Sequence, residues 1–129
     1  MSDSNYSEKK LLDKLGYKAG ETVFTQGAPS WLALELAAYG ITAVEDTPAD
    51  WAHLFCVSRL ELADFLDRTD ITKIKDGIWV SWPKKTSGVE TDVSEQLFRD
   101  VILPLGWVDT KVCAIDETWS ALKFLRRKA

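Results

Sequence analysis

Apolar positions along this 129-residue chain switch between a helical and a strand period, and the switching predicts most of the elements. Leu11, Leu12 and Leu15 recur at helical spacing before Gly16, so a leading helix is expected over 7–15. The β-branched and aromatic run from Thr22 to Thr25 predicts a first strand, broken by Gln26-Gly27-Ala28-Pro29. An apolar stretch from Ser30 to Tyr39, opened by Pro29 and closed by Gly40, predicts a helix. Ile41 to Glu45 predicts a second strand and, after the turn at Asp46-Thr47-Pro48, His53 to Val57 a third. Ser58-Arg59-Leu60-Glu61 has the form of a capping box and starts a helix to about Leu66. Asp76-Gly77 is expected to turn the chain into a strand from Ile78 to Trp82. Val93, Leu97, Phe98 and Val101 line one face of a further helix, capped near Asp92 to Glu95 and stopped near Pro104.

The end of the chain breaks the alternation. Val108 to Ile115 and Ser120 to Leu125 are joined by Asp116-Glu117-Thr118-Trp119, too short for a crossover helix, so an antiparallel hairpin is expected over 108–127. The expectation is therefore an α/β fold with a mostly parallel sheet, in one domain over 1–129.

Composition narrows the possible roles. Hydrophobic residues make up 46% and charged residues 28%, the balance of a globular protein. A net charge of -4 argues against general nucleic-acid binding, which needs a surplus of Lys and Arg. Cys56 and Cys113 lie in apolar runs without paired spacing and read as small core residues in a reducing compartment. The first residues lack a signal-peptide pattern and no apolar run reaches the length of a membrane span, so a cytoplasmic address is expected. One His and two separated Cys give no standard zinc set, and the acids lack calcium-loop spacing, so no metal is expected. His53 is read as a structural residue opening a strand, at the edge away from the candidate site. No G-x-S-x-G turn presents a serine, which disfavours a hydrolase.

Lys75-Asp76-Gly77-Ile78-Trp79-Val80 and the closing run Leu122-Lys123-Phe124-Leu125-Arg126-Arg127-Lys128 resemble the penultimate parallel strand and the last strand of class I methyltransferases. That resemblance implies a Rossmann-like three-layer sandwich whose sheet ends in an antiparallel hairpin. The segments Lys9-Leu11-Leu12-Leu15-Gly16, Val80-Ser81-Trp82-Pro83-Lys84-Lys85, Ser87-Gly88 and Asp116-Glu117-Thr118-Trp119-Ser120-Ala121-Leu122-Lys123 also resemble a bacterial domain-of-unknown-function family, number 3052. It implies a sheet-and-helix architecture and no activity. The chain departs from working methyltransferases after the first strand, where only Gly27 stands in place of a glycine-rich loop. Glu45 or Asp46 occupies the place of the acid that holds ribose hydroxyls. With that fingerprint incomplete, no cofactor is expected.

Ligands in open α/β sheets gather beyond the carboxyl ends of parallel strands. The strand directions bring two polar segments to that edge: the loop carrying Trp82, Lys84, Lys85, Thr86 and Ser87, and the tip carrying Asp116, Glu117, Thr118 and Trp119. Lys84 and Lys85 are expected to face Asp116 and Glu117 between two indole walls. No complete catalytic set can be assembled, so the first reading is a non-catalytic binding or regulatory module. It would engage a protein partner or an anionic metabolite at this edge. The alternative is a small methyltransferase-like or other group-transfer enzyme acting on a nucleotide-like substrate.

Overall fold

The structure, a computed structural model, describes residues 11–127. Residues 11–15 are helical (α1); residues 7–10 of the expected helix lie outside the described ones. Then follow β1 (Thr22–Gln26), α2 (Ser30–Ala38), β2 (Thr42–Val44), β3 (Ala49–Phe55), α3 (Arg59–Arg68), β4 (Ile74–Pro83), α4 (Glu95–Ile102), β5 (Trp107–Ala114) and β6 (Trp119–Arg126).

The six strands form one mixed sheet in the order β2-β1-β3-β4-β6-β5. β1 pairs in parallel with β2 and β3, and β3 with β4. β6 runs antiparallel to both β4 and β5, as the expected hairpin requires. β2 and β3 point the same way from opposite sides of β1, so residues 45–48 alone return the chain across β1. Parallel strands ordinarily need a crossover of a dozen or more residues. Here β2 ends level with Phe24 and Trp51 pairs with Val23, so little distance along the strands has to be recovered.

The starts of α3 and α4 have a local cause. The Ser58 hydroxyl accepts from Glu61 N at 3.2 Å while Glu61 Oε1 accepts from Ser58 N at 3.2 Å, completing the capping box of α3. The cap of α4 is Ser94, whose hydroxyl accepts from Leu97 N at 3.2 Å. Past Ile102 a single 3-10 turn, Leu103–Leu105, absorbs Pro104.

Both faces of the central strands β3 and β4 are buried. Leu54, Ile78 and Val80 pack with Phe65 of α3 and Phe98 of α4 on one face. Trp51, Phe55 and Trp79 pack with Leu15 of α1 and with Leu32 and Leu36 of α2 on the other. Trp79 Nε1 donates to Leu15 O at 2.8 Å, so the indole fills the core without an orphaned donor. Each fully buried Leu or Phe contributes roughly 1.5–3 kcal/mol.

Two strand starts differ from the sequence reading. β3 begins at Ala49, because Asp50 is drawn into the sheet by accepting from Thr22 N at 2.9 Å. β4 begins at Ile74 and runs straight through Asp76-Gly77, which is no turn. Gly77 is needed inside the strand: a Cβ there would lie 2.8 Å from Trp51 Cζ3 and 2.9 Å from Phe124 O.

Candidate functional site

β1 to β4 share one carboxyl edge, and β5, antiparallel to β6, ends there as well. The loop after β4 and the β5–β6 tip therefore meet. Pro83 pairs with Trp119, Lys84 N donates to Thr118 O at 2.7 Å, and Lys84 Nζ donates to Asp116 O at 2.6 Å.

The chemistry of that meeting differs from the expected pairing of ammonium with carboxylate. Lys84 binds the Asp116 main-chain carbonyl, while Asp116 Oδ1 caps its own turn by accepting from Thr118 N and Trp119 N, both at 2.8 Å. Trp119 stands edge-on to Phe55 with ring centroids 5.2 Å apart, and Trp82 packs on Phe98 at 5.5 Å. Ser87 closes the 3-10 turn Lys85–Ser87, which also holds Thr86, by donating to Lys84 O at 2.7 Å. No ion pair joins Lys85 or Glu117 to another described residue.

Two clefts open on the described surface beside these elements. The larger, about 850 Å³, takes Trp82 and Lys85 from the expected set and adds Asp92, expected only as part of a helix cap, and Val57, Glu90 and Val93, which sequence reasoning did not place in the site. Its far wall is tied down where Thr91 Oγ1 donates to Val57 O at 2.6 Å and Arg59 N donates to Asp92 Oδ1 at 2.8 Å. The sequence signals for this wall are the helix cap near Asp92 and the length of the connection after β4.

The smaller cleft, about 370 Å³, brings together Gly27, Glu45 and Asp46, the three residues singled out for a nucleotide, with Gln26, Arg68 and Thr69. Gly27 has φ +71°, and a Cβ on it would sit 2.3 Å from Phe55 O. Its missing side chain thus makes room for the end of β3. Asp46 Oδ1 accepts from Thr47 N at 2.7 Å. Glu45 is exposed and has no hydrogen-bond partner among the described residues.

His53 does not open a strand. It lies within β3, fully buried, with Tyr17 Oη 2.8 Å from Nδ1 and Ser81 Oγ 2.7 Å from Nε2. The ring stacks on Phe55 at 4.2 Å, and burial brings its pKa down to about 3, so it stays neutral. The lone histidine is thus beside a serine after all, but Ser81 is fully buried too and neither reaches solvent.

The cysteines are free thiols, Cys56 just past β3 and Cys113 on β5. Burial, then Glu61 and Asp92, push the Cys56 thiol up to about 12. Two basic residues of β6 lie over aromatic rings. Lys123 Nζ lies 5.2 Å from the Trp51 ring centroid, and the Arg126 guanidinium lies 4.6 Å from that of Trp107 and donates to Ile74 O. At the opposite edge, Glu21, Asp50 and Asp76 bring carboxylate oxygens within 4.8 Å of one another. Two of the three already serve protein donors, Trp51 Nε1 on Glu21 and Thr22 N on Asp50. No described helix is long and apolar enough to cross a membrane.

Comparison with known proteins adds the fold. No family model matches the chain, so the resemblance to family 3052 gains no support there, and no curated protein matches. Among solved structures, the chain is similar to an S-adenosylmethionine-dependent methyltransferase from Aquifex aeolicus, with TM-score 0.57 and 13% identity over 92% of this chain and 89% of that one. It is also similar to the magnesium protoporphyrin IX methyltransferase from Synechocystis PCC 6803 with bound S-adenosylmethionine, with TM-score 0.51 and 12% identity over 96% and 78%. The fold is methyltransferase-like. The leaning away from an enzyme is corrected accordingly, since both of these similar structures are methyltransferases.

Proposed function

We propose that this chain is a small group-transfer enzyme of methyltransferase-like type, holding an adenosyl cofactor in the smaller cleft and its acceptor in the larger one. The observation that carries the reading is the convergence of Gly27, Glu45 and Asp46 on one cleft, in a fold shared with S-adenosylmethionine-dependent methyltransferases. The buried clusters on the two faces, with α1 and α2 against one and α3 and α4 against the other, support a reduced Rossmann-like three-layer sandwich. Two free cysteines support a reducing, cytoplasmic setting.

The residues present fit the adenosine end of such a cofactor. About 370 Å³ lies within the range of small-molecule sites, roughly 300–1,000 Å³. The unpartnered Glu45 carboxylate and the second oxygen of Asp46 are acceptors suited to ribose hydroxyls, and the Gln26 side chain offers both a donor and an acceptor. When bound, S-adenosylmethionine supplies an activated methyl group. Affinity would rest on these side chains more than on the loop, because the space beside Gly27 is filled by Phe55 O.

Calorimetric titration of the full chain with S-adenosylmethionine and S-adenosylhomocysteine tests the reading. Binding is expected, with a rise in Tm by mass action. Replacing Glu45→Ala and Asp46→Ala together should weaken it by at least about tenfold, since each charge-assisted hydrogen bond lost is worth roughly 1.5 kcal/mol. Absence of heat and of any Tm shift with a folded protein overturns it.

A further inference from the structure

We propose that the larger cleft binds a ring-bearing apolar amine in its ammonium form; naming that amine the acceptor rests on the function proposed above, whereas the binding itself does not. The walls supply the apolar part. Trp82 is half-buried and fixed by Phe98 at 5.5 Å, and Val57, Pro83 and Val93 add apolar lining beside it.

The charge of the ligand follows from what the edge has already spent on itself. Two helix starts border the cleft, α3 at Ser58 and α4 at Ser94, and such termini ordinarily favour anions. Here the amides of Arg59 and Glu61 at α3 and of Leu97 at α4 are already held by side chains. Glu61 Oε1 accepts from Val57 N at 2.9 Å and Ser58 N at 3.2 Å, Asp92 Oδ1 accepts from Arg59 N at 2.8 Å, and Ser94 Oγ accepts from Leu97 N at 3.2 Å.

The ionised side chains that line the cleft are Lys85, Glu90 and Asp92, an excess of one negative charge. Glu90 has no hydrogen bond or ion pair with any other described residue. Arg59 forms no ion pair with the Asp92 carboxylate, and its guanidinium stands beside that residue with Nε donating to the Asp92 main-chain carbonyl at 3.1 Å, so Glu90 is the carboxylate offered to the ligand. Lys85 is exposed at the start of the 3-10 turn. The Cys56 thiol, just before Val57, is raised by Glu61 and Asp92 as well as by burial, in keeping with a negative field at this edge. An ammonium near an indole face and an uncompensated carboxylate is favoured on both counts, while an anion meets neither.

The test uses the full chain and two probes of like shape, tryptamine and indole-3-acetate, titrated by calorimetry at neutral pH. Tryptamine is expected to bind about tenfold more tightly than the acid. Glu90→Gln should erase that preference, Trp82→Ala should weaken both probes, and Lys85→Ala, which removes the positive charge lining the cleft, should tighten tryptamine and weaken indole-3-acetate. The inference is overturned if indole-3-acetate binds as tightly, if neither probe binds, or if the preference survives in the folded Glu90→Gln variant. S-adenosylmethionine titrated in parallel separates the two proposals. Amine binding without cofactor binding ends only the enzymatic reading, and cofactor binding without amine binding ends only this one.

Discussion

His53 concentrates more physical consequence than any other single residue. Its ring sits at 0% exposure, and each nitrogen has a hydroxyl partner, so a neutral imidazole satisfies and is satisfied by Tyr17 and Ser81. Protonation would place a charge among Phe55, Trp79 and Tyr17 with no carboxylate in contact. Burial therefore lowers its pKa from 6.5 to about 3. Between those values the unfolded chain binds a proton that the folded chain refuses, so stability is fully present above 6.5 and declines as pH falls toward about 3. The slope is on the order of 1.4 kcal/mol per pH unit. Asp70 and Asp109, held below the usual carboxylate range by hydrogen bonds from Thr72 and Arg99, act in the same direction at lower pH. Urea unfolding of wild type and His53→Gln across pH 7 to 4 separates the contributions. The variant should start less stable, by about 1–3 kcal/mol for the partners it leaves unsatisfied, and lose stability less steeply on acidification. Parallel slopes would show that His53 is not the titrating group.

At the scale of elements, the contacts between strands decide what individual residues must be. β4 passes so close to β3 and β6 at Gly77 that a methyl group has no room, with the Trp51 ring on one side and the Phe124 carbonyl on the other. Gly77→Ala should cost about 1–3 kcal/mol through overpacking, measured as a lower denaturation midpoint with an unchanged m-value. A neutral or stabilising result would mean that Trp51 can move. The same residue explains a limit of sequence reading. Asp76-Gly77 has the composition of a turn, and only the tertiary approach of Trp51 reveals a strand glycine. The capping box of α3 and the β5–β6 hairpin were legible because their causes are local: a hydroxyl and carboxylate three residues apart, and a connection too short for a helix. The meeting of the β4 loop with the hairpin tip was legible from strand direction alone. Which atoms meet was not, since Lys84 could choose a carbonyl over a carboxylate only once Asp116 had turned its side chain onto its own loop. Glu90 was hidden for a similar reason, as the wall it belongs to is held by the end of β3.

For the whole molecule, the stable centre of the sheet lies apart from the edge that carries the proposed cofactor site. β3 and β4 are paired on both sides and almost wholly buried, whereas β2 has three residues, one neighbour and two exposed positions. Local opening should therefore begin at β2 and at residues 45–48, whose return across β1 has no helix to hold it. Those are the segments that border the smaller cleft through Glu45 and Asp46. A ligand there has weakly held backbone to order, and part of its binding free energy goes into fixing it. Amide hydrogen exchange should show Thr42–Val44 exchanging well before the centres of β3 and β4 in the free protein, and slowing selectively when S-adenosylmethionine is added. Protection at the β4 loop instead, with β2 unchanged, would move the cofactor to the larger cleft and reverse the assignment of the two sites.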